Sequence, residues 1–158
     1  MGKFYSGIDW DLLFFFIYLF IAIYAMEQAG VLELIGKGIE PIIGMGDIFG
    51  GGLLLVSSAV ASSVTDNIPL AAVLANILNS MNIANDSGMW WSVIFGANLG
   101  GNLTPIGSAS TLVAVTIMHK HDLKISFMGF VKKALPFAIL HIILATAYVL
   151  FVLKHLPG

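Results

Sequence analysis

The sequence contains no cysteine and no arginine, and it has few charges of any kind. Without cysteine there is no disulfide frame and no thiolate metal site. All seven basic residues are lysines, nine residues are acidic, and the net charge of -2 names no partner. Charged residues make up 10% of the 158 and hydrophobic residues 58%, whereas a soluble domain carries about 25% and about 45–50%. With a mean hydropathy of +0.95, the chain has too few charges to build a water-facing surface, and lipid is the solvent that fits. No nucleophile–histidine–acid set, phosphate loop or nucleic-acid patch is visible, so neither an enzyme nor a nucleic-acid partner is indicated. No small-residue cleavage site follows the first apolar run, which therefore reads as a retained span rather than a signal peptide.

What is there is a set of apolar runs, and the whole chain, 1–158, reads as one all-α membrane domain. The run at 10–26 holds about seventeen residues, enough to cross about 30 Å of hydrocarbon, with Trp10 and Tyr24 as interface aromatics. Residues 30–40 carry Val31, Leu32, Leu34, Ile35 and Ile39 at helical spacing. They suit a short interfacial helix, ended by Pro41. Residues 48–80 would make one helix of about 50 Å, too long for a single span. The middle, "SSVTDNIP", is polar and ends in Pro69. Two arms forming a re-entrant hairpin fit better than a straight rod, the alternative being a kinked helix whose polar groups bond its neighbours. Residues 89–118 are interrupted by Gly96, Gly100, Gly101, Pro105 and Gly107. They predict a broken span with an unwound link, although small residues also serve close helix packing. An amphipathic stretch at 122–133 leads to a last span at 137–153.

Lysine placement orients these elements. Lys3, Lys120, Lys124, Lys132 and Lys133 fall on one side, and Lys37 and Lys154 on the other. The positive-inside rule then puts the N-terminus in the cytoplasm and the C-terminus outside the cell membrane.

Unwound backbone at membrane depth survives only when buried in protein or lining a wet cavity. Two such breaks, both rich in polar side chains, predict a midplane binding site of a secondary transporter. Helix N-termini there favour an anionic group. Freed carbonyls with Ser62, Thr65, Asn67 and Asn102 offer oxygens to Na+. Asp66 is the acid within the apolar zones, and such a group is functional by default. Desolvation disfavours a carboxylate's charged form and a nearby cation favours it, so a proton can be traded there for a metal ion. The site set is Ser62, Ser63, Thr65, Asp66 and Asn67 at the tip, with Asn98, Gly100, Gly101, Asn102, Thr104, Pro105, Gly107 and Ser108 at the link. His141, on the last span, reads as an interhelical hydrogen bond or a proton relay. His119, His121 and Asp122 make a weak metal set.

The stretches "DWDLLFFFIYLFIAIYAMEQAGVLELIG", "SSVTDNIPLAAVL" and "WWSVIFGANLGGNLTPIGSASTLVAV", with "HKHDLKISFMGFVKKALP", resemble the C-terminal part of the ion transporter superfamily. The nearest branch is that of arsenite permeases, NhaD-type sodium–proton antiporters and the melanosomal P-protein. The resemblance implies that the hairpin tip (Ser62, Thr65, Asp66, Asn67) and the link (Gly100, Gly101, Asn102, Thr104, Pro105, Gly107) form half of a site. An inverted repeat supplies the other half. Dicarboxylate carriers of the superfamily have Ser-Asn-Thr at the tip, where this chain has Asp66-Asn67-Ile68, which argues against a dicarboxylate.

The chain is therefore expected to be a half-size transporter working by alternating access, with three spans plus the hairpin. Na+ exchanged for H+ is the first expectation, with no other cofactor. Arsenite or another small inorganic anion is the alternative, and a non-transporting membrane subunit is the rival from another class. A second unit of opposite orientation is implied, either an antiparallel copy or a separate chain carrying the other repeat.

Overall fold

The computed structural model describes residues 10–152. Lys3 and Lys154, on which the orientation count partly rests, and residue 153, the end of the last expected span, lie outside the described residues. Among the described residues seven α-helices follow one another: α1 (Trp10–Gln28), α2 (Val31–Ile43), α3 (Gly46–Ser62), α4 (Asn67–Ser80), α5 (Gly88–Gly100), α6 (Ala109–Lys120) and α7 (Phe127–Ala147). A π-helical turn, Tyr148–Val152, extends α7.

Four helices start on side-chain caps that satisfy otherwise unpaired N–H groups. Asp66 Oδ1 accepts from Ile68 N at 3.1 Å. Ser87 Oγ accepts from Met89 N at 3.2 Å, Ser108 Oγ from Thr111 N at 3.2 Å, and Ser126 Oγ from Gly129 N at 3.1 Å. Left-handed glycines turn the chain elsewhere: Gly30 before α2 (φ 72°) and Gly46 at the start of α3 (φ 81°), a conformation that costs a residue with a Cβ.

Pro41 does not end its helix as the sequence suggests, and Pro69 and Pro136 also lie within helices. Pro41 lies inside α2, which runs on to Ile43. Pro69 sits in the first turn of α4, where a missing N–H costs nothing because no intrahelical acceptor exists for it. Pro136 lies within α7. The amphipathic stretch at 122–133 and the span at 137–153 are thus not separate pieces. Residues 121–126 are a turn, and one helix starts at Phe127 and crosses Pro136.

The core gathers where α3, α4 and α5 meet. Leu54, Leu74, Ile77, Leu78, Met89 and Val93 form a buried cluster, covered by Ile39, Ile42 and Ile43 of α2 and by Met26 of α1. Leu55 joins Ala145 and Val149 in a second cluster against α7.

Helices α3 and α5 run parallel. A Cβ on Gly51 would meet Ser92 Oγ at 3.3 Å, one on Gly96 would fall on the Leu55 carbonyl, and one on Gly100 on the Ala59 backbone. The sequence offset is the same each time, so the register is fixed along the whole contact. Helix α4 returns antiparallel. Its first residue lies beside Gly101, its end joins the Met89 cluster, and Ser87 Oγ bonds Asp47 Oδ1 at 3.1 Å between the starts of α5 and α3. The arms α3 and α4 therefore share one end of the bundle, and the turn at 63–66 lies at the other.

Much of the outer surface is apolar. Phe127–Val152 is long and apolar enough to cross a membrane by length and composition, and 17% of its most apolar eighteen residues are buried in the chain. Helices α3 and α4 are apolar but shorter. In α6 only Thr111 is buried, while Leu112, Val113 and Ile117 are exposed.

The glycine contacts predict an asymmetric response. Gly100→Ala should lower the thermal unfolding midpoint in detergent, since overpacking costs about 1–3 kcal/mol. Gly38→Ala, where nothing lies within 4 Å of a new Cβ, should be neutral or stabilise by up to about 1 kcal/mol. Equal midpoints for the two variants would contradict the α3–α5 contact.

Candidate functional site

The hairpin tip and the link meet at one end of the bundle. Because α3 and α5 are parallel, both end there, at Ser62 and Gly100, and both continuing segments unwind side by side. Ser62 is fully buried, and its Oγ donates across to the Ala97 carbonyl. Thr104, also buried, donates from Oγ1 to the Ser63 carbonyl and accepts from Ile106 N at 3.3 Å. Gly101 and Gly107 face each other inside the link. A Cβ on Gly101 would stand 2.8 Å from the Gly107 carbonyl, and one on Gly107 would stand 3.0 Å from that of Ser62.

The remaining site residues divide by what they touch. Ser63 Oγ bonds the Val60 carbonyl at 2.7 Å, and Thr65 Oγ1 bonds that of Ala61 at 2.9 Å, each one turn back. Ser108 caps α6, and Pro105 offers its carbonyl to Thr111 Oγ1 at 3.5 Å. Gly100 is pressed against Ala59 and serves the helix contact. Three amides form a track. Asn67 Nδ2 donates to Asn98 Oδ1 at 3.2 Å, Asn98 Nδ2 to the Ile94 carbonyl at 2.8 Å, and Asn102 Nδ2 to the Asn98 carbonyl at 3.4 Å.

Of the four oxygens expected for Na+, Ser62 and Thr65 are turned to backbone carbonyls as donors, while Asn67 and Asn102 keep Oδ1 uncommitted among the described residues. The second carboxylate oxygen of Asp66 is also uncommitted there. Neither 62–69 nor 98–108 carries a lysine or histidine. Among the described residues no group of three or more His, Cys, Asp or Glu could hold a metal ion. The weak set at His119, His121 and Asp122 is therefore not assembled.

Ser58 and Thr111 were not legible as site residues. Ser58 is 3% exposed and its Oγ has no partner among the described residues. It lies one turn before Ser62 on the same face of α3, a spacing that would have flagged it. Thr111 is buried and its Oγ1 donates to the Ser108 carbonyl at 2.8 Å. Among the described residues His141 makes no interhelical bond. Its Nδ1 pairs with the Phe137 carbonyl of its own helix at 2.7 Å.

The Thr104 bond is the main polar tie between tip and link. Thr104→Val leaves the Ser63 carbonyl and the Ile106 N–H unpaired, at a cost of about 1–3 kcal/mol. Amides at 62–66 should then exchange hydrogen faster, while Thr104→Ser stays near wild type. Unchanged exchange in the Val variant would remove that tie from the account.

A model of the citrate transporter family (CitMHS) matches residues 1–96. An uncharacterized transporter of Mycobacterium tuberculosis (strain ATCC 25618 / H37Rv) is 32% identical over 163 residues, covering 98% of this chain and 38% of the relative. The 46 kDa membrane protein of Mycobacterium leprae (strain TN) is 29% identical over 148 residues, covering 90% of this chain and 34% of the relative. The P protein of Homo sapiens is 29% identical over 153 residues, covering 90% of this chain and 18% of the relative. The chain spans about a third of the length of the bacterial relatives it matches. No solved structure matches. The chain belongs to the citrate transporter family (CitMHS) of the ion transporter superfamily, a family of membrane transporters and not of enzymes.

Proposed function

We propose that this chain supplies one half of a secondary active transport site, and that a small cation, Na+ exchanged for H+, binds where the hairpin tip meets the link. The carrying observation is how the helix ends are used there. The N-termini of α4 and α6 are stoppered by their own caps, Asp66 and Ser108. The C-termini of α3 and α5 converge uncapped by any basic residue, and a helix C-terminus carries partial negative charge. With Asp66 as the charged side chain on these two segments, the field favours a cation.

The same features weigh against anions. An anion at α4 would have to displace the Asp66 carboxylate from Ile68 N and then face it. The family's name speaks of citrate, but three carboxylates would meet an acid and no lysine on either segment. An oxyanion meets the same obstacle.

The rest of the cation's shell comes from a second unit of opposite orientation, a copy or a separate segment. The uncovered apolar faces of α6 and α7, at Leu112, Val113, Phe137, Leu140 and Leu144, support such a neighbour as well as lipid. The N-terminus lies in the cytoplasm, and alternating access moves the tip–link junction against the second unit.

Asp66→Asn tests the charge alone, because Asn caps a helix about as well as Asp. In proteoliposomes containing any partner chain, Na+-driven proton flux should fall at least about tenfold, the equivalent of 1.4 kcal/mol or more, with the unfolding midpoint little changed. Wild-type-like flux would rule Asp66 out. Arsenite uptake that persists in the Asn variant, with no Na+-linked flux in either form, would favour the anion reading.

A further inference from the structure

Four of the seven lysines fall within residues 120–133: Lys120, Lys124, Lys132 and Lys133. One acid, Asp122, lies among them, and none follows it in the sequence. The chain folds back sharply here. Asp122 adopts a left-handed conformation (φ 59°), Leu123 N donates to the Met118 carbonyl at 2.9 Å, and α7 starts at Phe127. The turn brings Lys124 and Lys133 to one cavity of about 560 Å³, lined also by Met118, Asp122, Leu123 and Ser126. That volume falls within the range of about 300–1,000 Å³ usual for small-ligand pockets.

The fold does not offset these charges. All four lysines are exposed and, among the described residues, none is in an ion pair, Asp122 included. Lys124 precedes the start of α7, where the partial positive end of a helix opposes a cation.

Their depth follows from the length of α7. The apolar stretch Phe127–Val152 has 26 residues, about 39 Å at 1.5 Å per residue, against about 30 Å of hydrocarbon. Residues 134–152 hold no Asp, Glu or Lys and nearly span that thickness alone. The first two turns of α7, with Lys132 and Lys133, therefore stand at the level of the lipid headgroups. Leu123, Phe127 and Met128 are exposed beside them. Unpaired positive charge next to exposed apolar side chains suits a ligand with an anionic head and apolar tails. A water-soluble anion has no use for the apolar part.

We propose that the turn between α6 and α7 is a binding site for an anionic phospholipid of the surrounding bilayer, with Lys124 and Lys133 holding its phosphate. Lys120 and Lys132 add to the local positive potential, and the exposed apolar side chains meet the lipid tails. A basic residue at a membrane surface strengthens the attraction of anionic lipid by about fivefold. The site is independent of which ion the protein carries.

The test is native mass spectrometry of the purified protein, with any partner chain, in a neutral detergent. It is titrated with phosphatidylglycerol or with phosphatidylcholine of the same acyl chains. Detergent imposes no orientation, so lysines that serve only to orient the chain during insertion have no effect there. Wild type should bind phosphatidylglycerol tighter than phosphatidylcholine by about tenfold or more, the sum of several such charges. Lys124→Gln combined with Lys133→Gln should cut that preference by about fivefold per charge removed. Lys37→Gln, which removes a lysine of α2 paired with Glu33, should keep it. Added salt, which screens exposed charges, should weaken phosphatidylglycerol binding to wild type without any substitution. Equal binding of the two lipids by wild type, salt-independent binding, or a preference that survives the double substitution would overturn the proposal. So would an equal loss in Lys37→Gln, which would make net charge the cause. Full displacement of the lipid by inorganic phosphate would overturn it too, since the ligand would then be a soluble anion.

Discussion

The close approach of α3 and α5 is the contact on which the rest of the structure depends. In lipid there is no hydrophobic drive between helices, and association relies on packing of small residues that lets backbones touch. Gly96 and Gly100 provide that approach, against Leu55 and Ala59. Because the two helices are parallel and their register is pinned along the contact, their C-terminal ends arrive at the same level. The tip and the link are neighbours for that reason. Ser62 reaches Ala97, and Thr104 reaches Ser63, without any further device.

The second constraint is that buried backbone must be paired, most strictly where water is scarce. Most of the hydroxyls at the junction meet that need rather than a ligand's. Ser62 and Thr104 tie the two unwound segments together, Ser108 and Thr111 close the start of α6, and Asp66 closes the start of α4. Among the described residues, the second oxygen of Asp66 and the amide oxygens of Asn67 and Asn102 stay unpaired there. The buried hydroxyl of Ser58, unpaired among the described residues, is one polar group that the fold leaves unanswered. It lies between α3 and α5 beside Gly96, within the contact that sets the register.

The two polar breaks were legible because composition changes abruptly there, from LLLVSSAVA to SSVTDNIP and across the run GANLGGNLTPIG. Their adjacency was not, since no sequence period announces which helix lies parallel to which. The glycines show why. Gly96 and Gly100 pack helices, whereas Gly101 and Gly107 shape the link, and one cluster of letters holds both roles. Proline was over-read as a terminator at Pro41, which lies inside α2. That Asn102 and His141 line one cavity was not legible, because they lie far apart in sequence and come together only when α7 packs on α5.

The central claim is that the tip–link junction holds a small monovalent cation beside Asp66. Anomalous scattering from Tl+, substituted for Na+ in crystals of the purified assembly, locates such an ion directly. The account predicts a peak within coordination distance of the oxygens of Asp66, Asn67 or Asn102. A peak instead in the cleft at the opposite end of the bundle, lined by Glu27, Glu33, Lys37 and Glu40, with none at the junction, would contradict it.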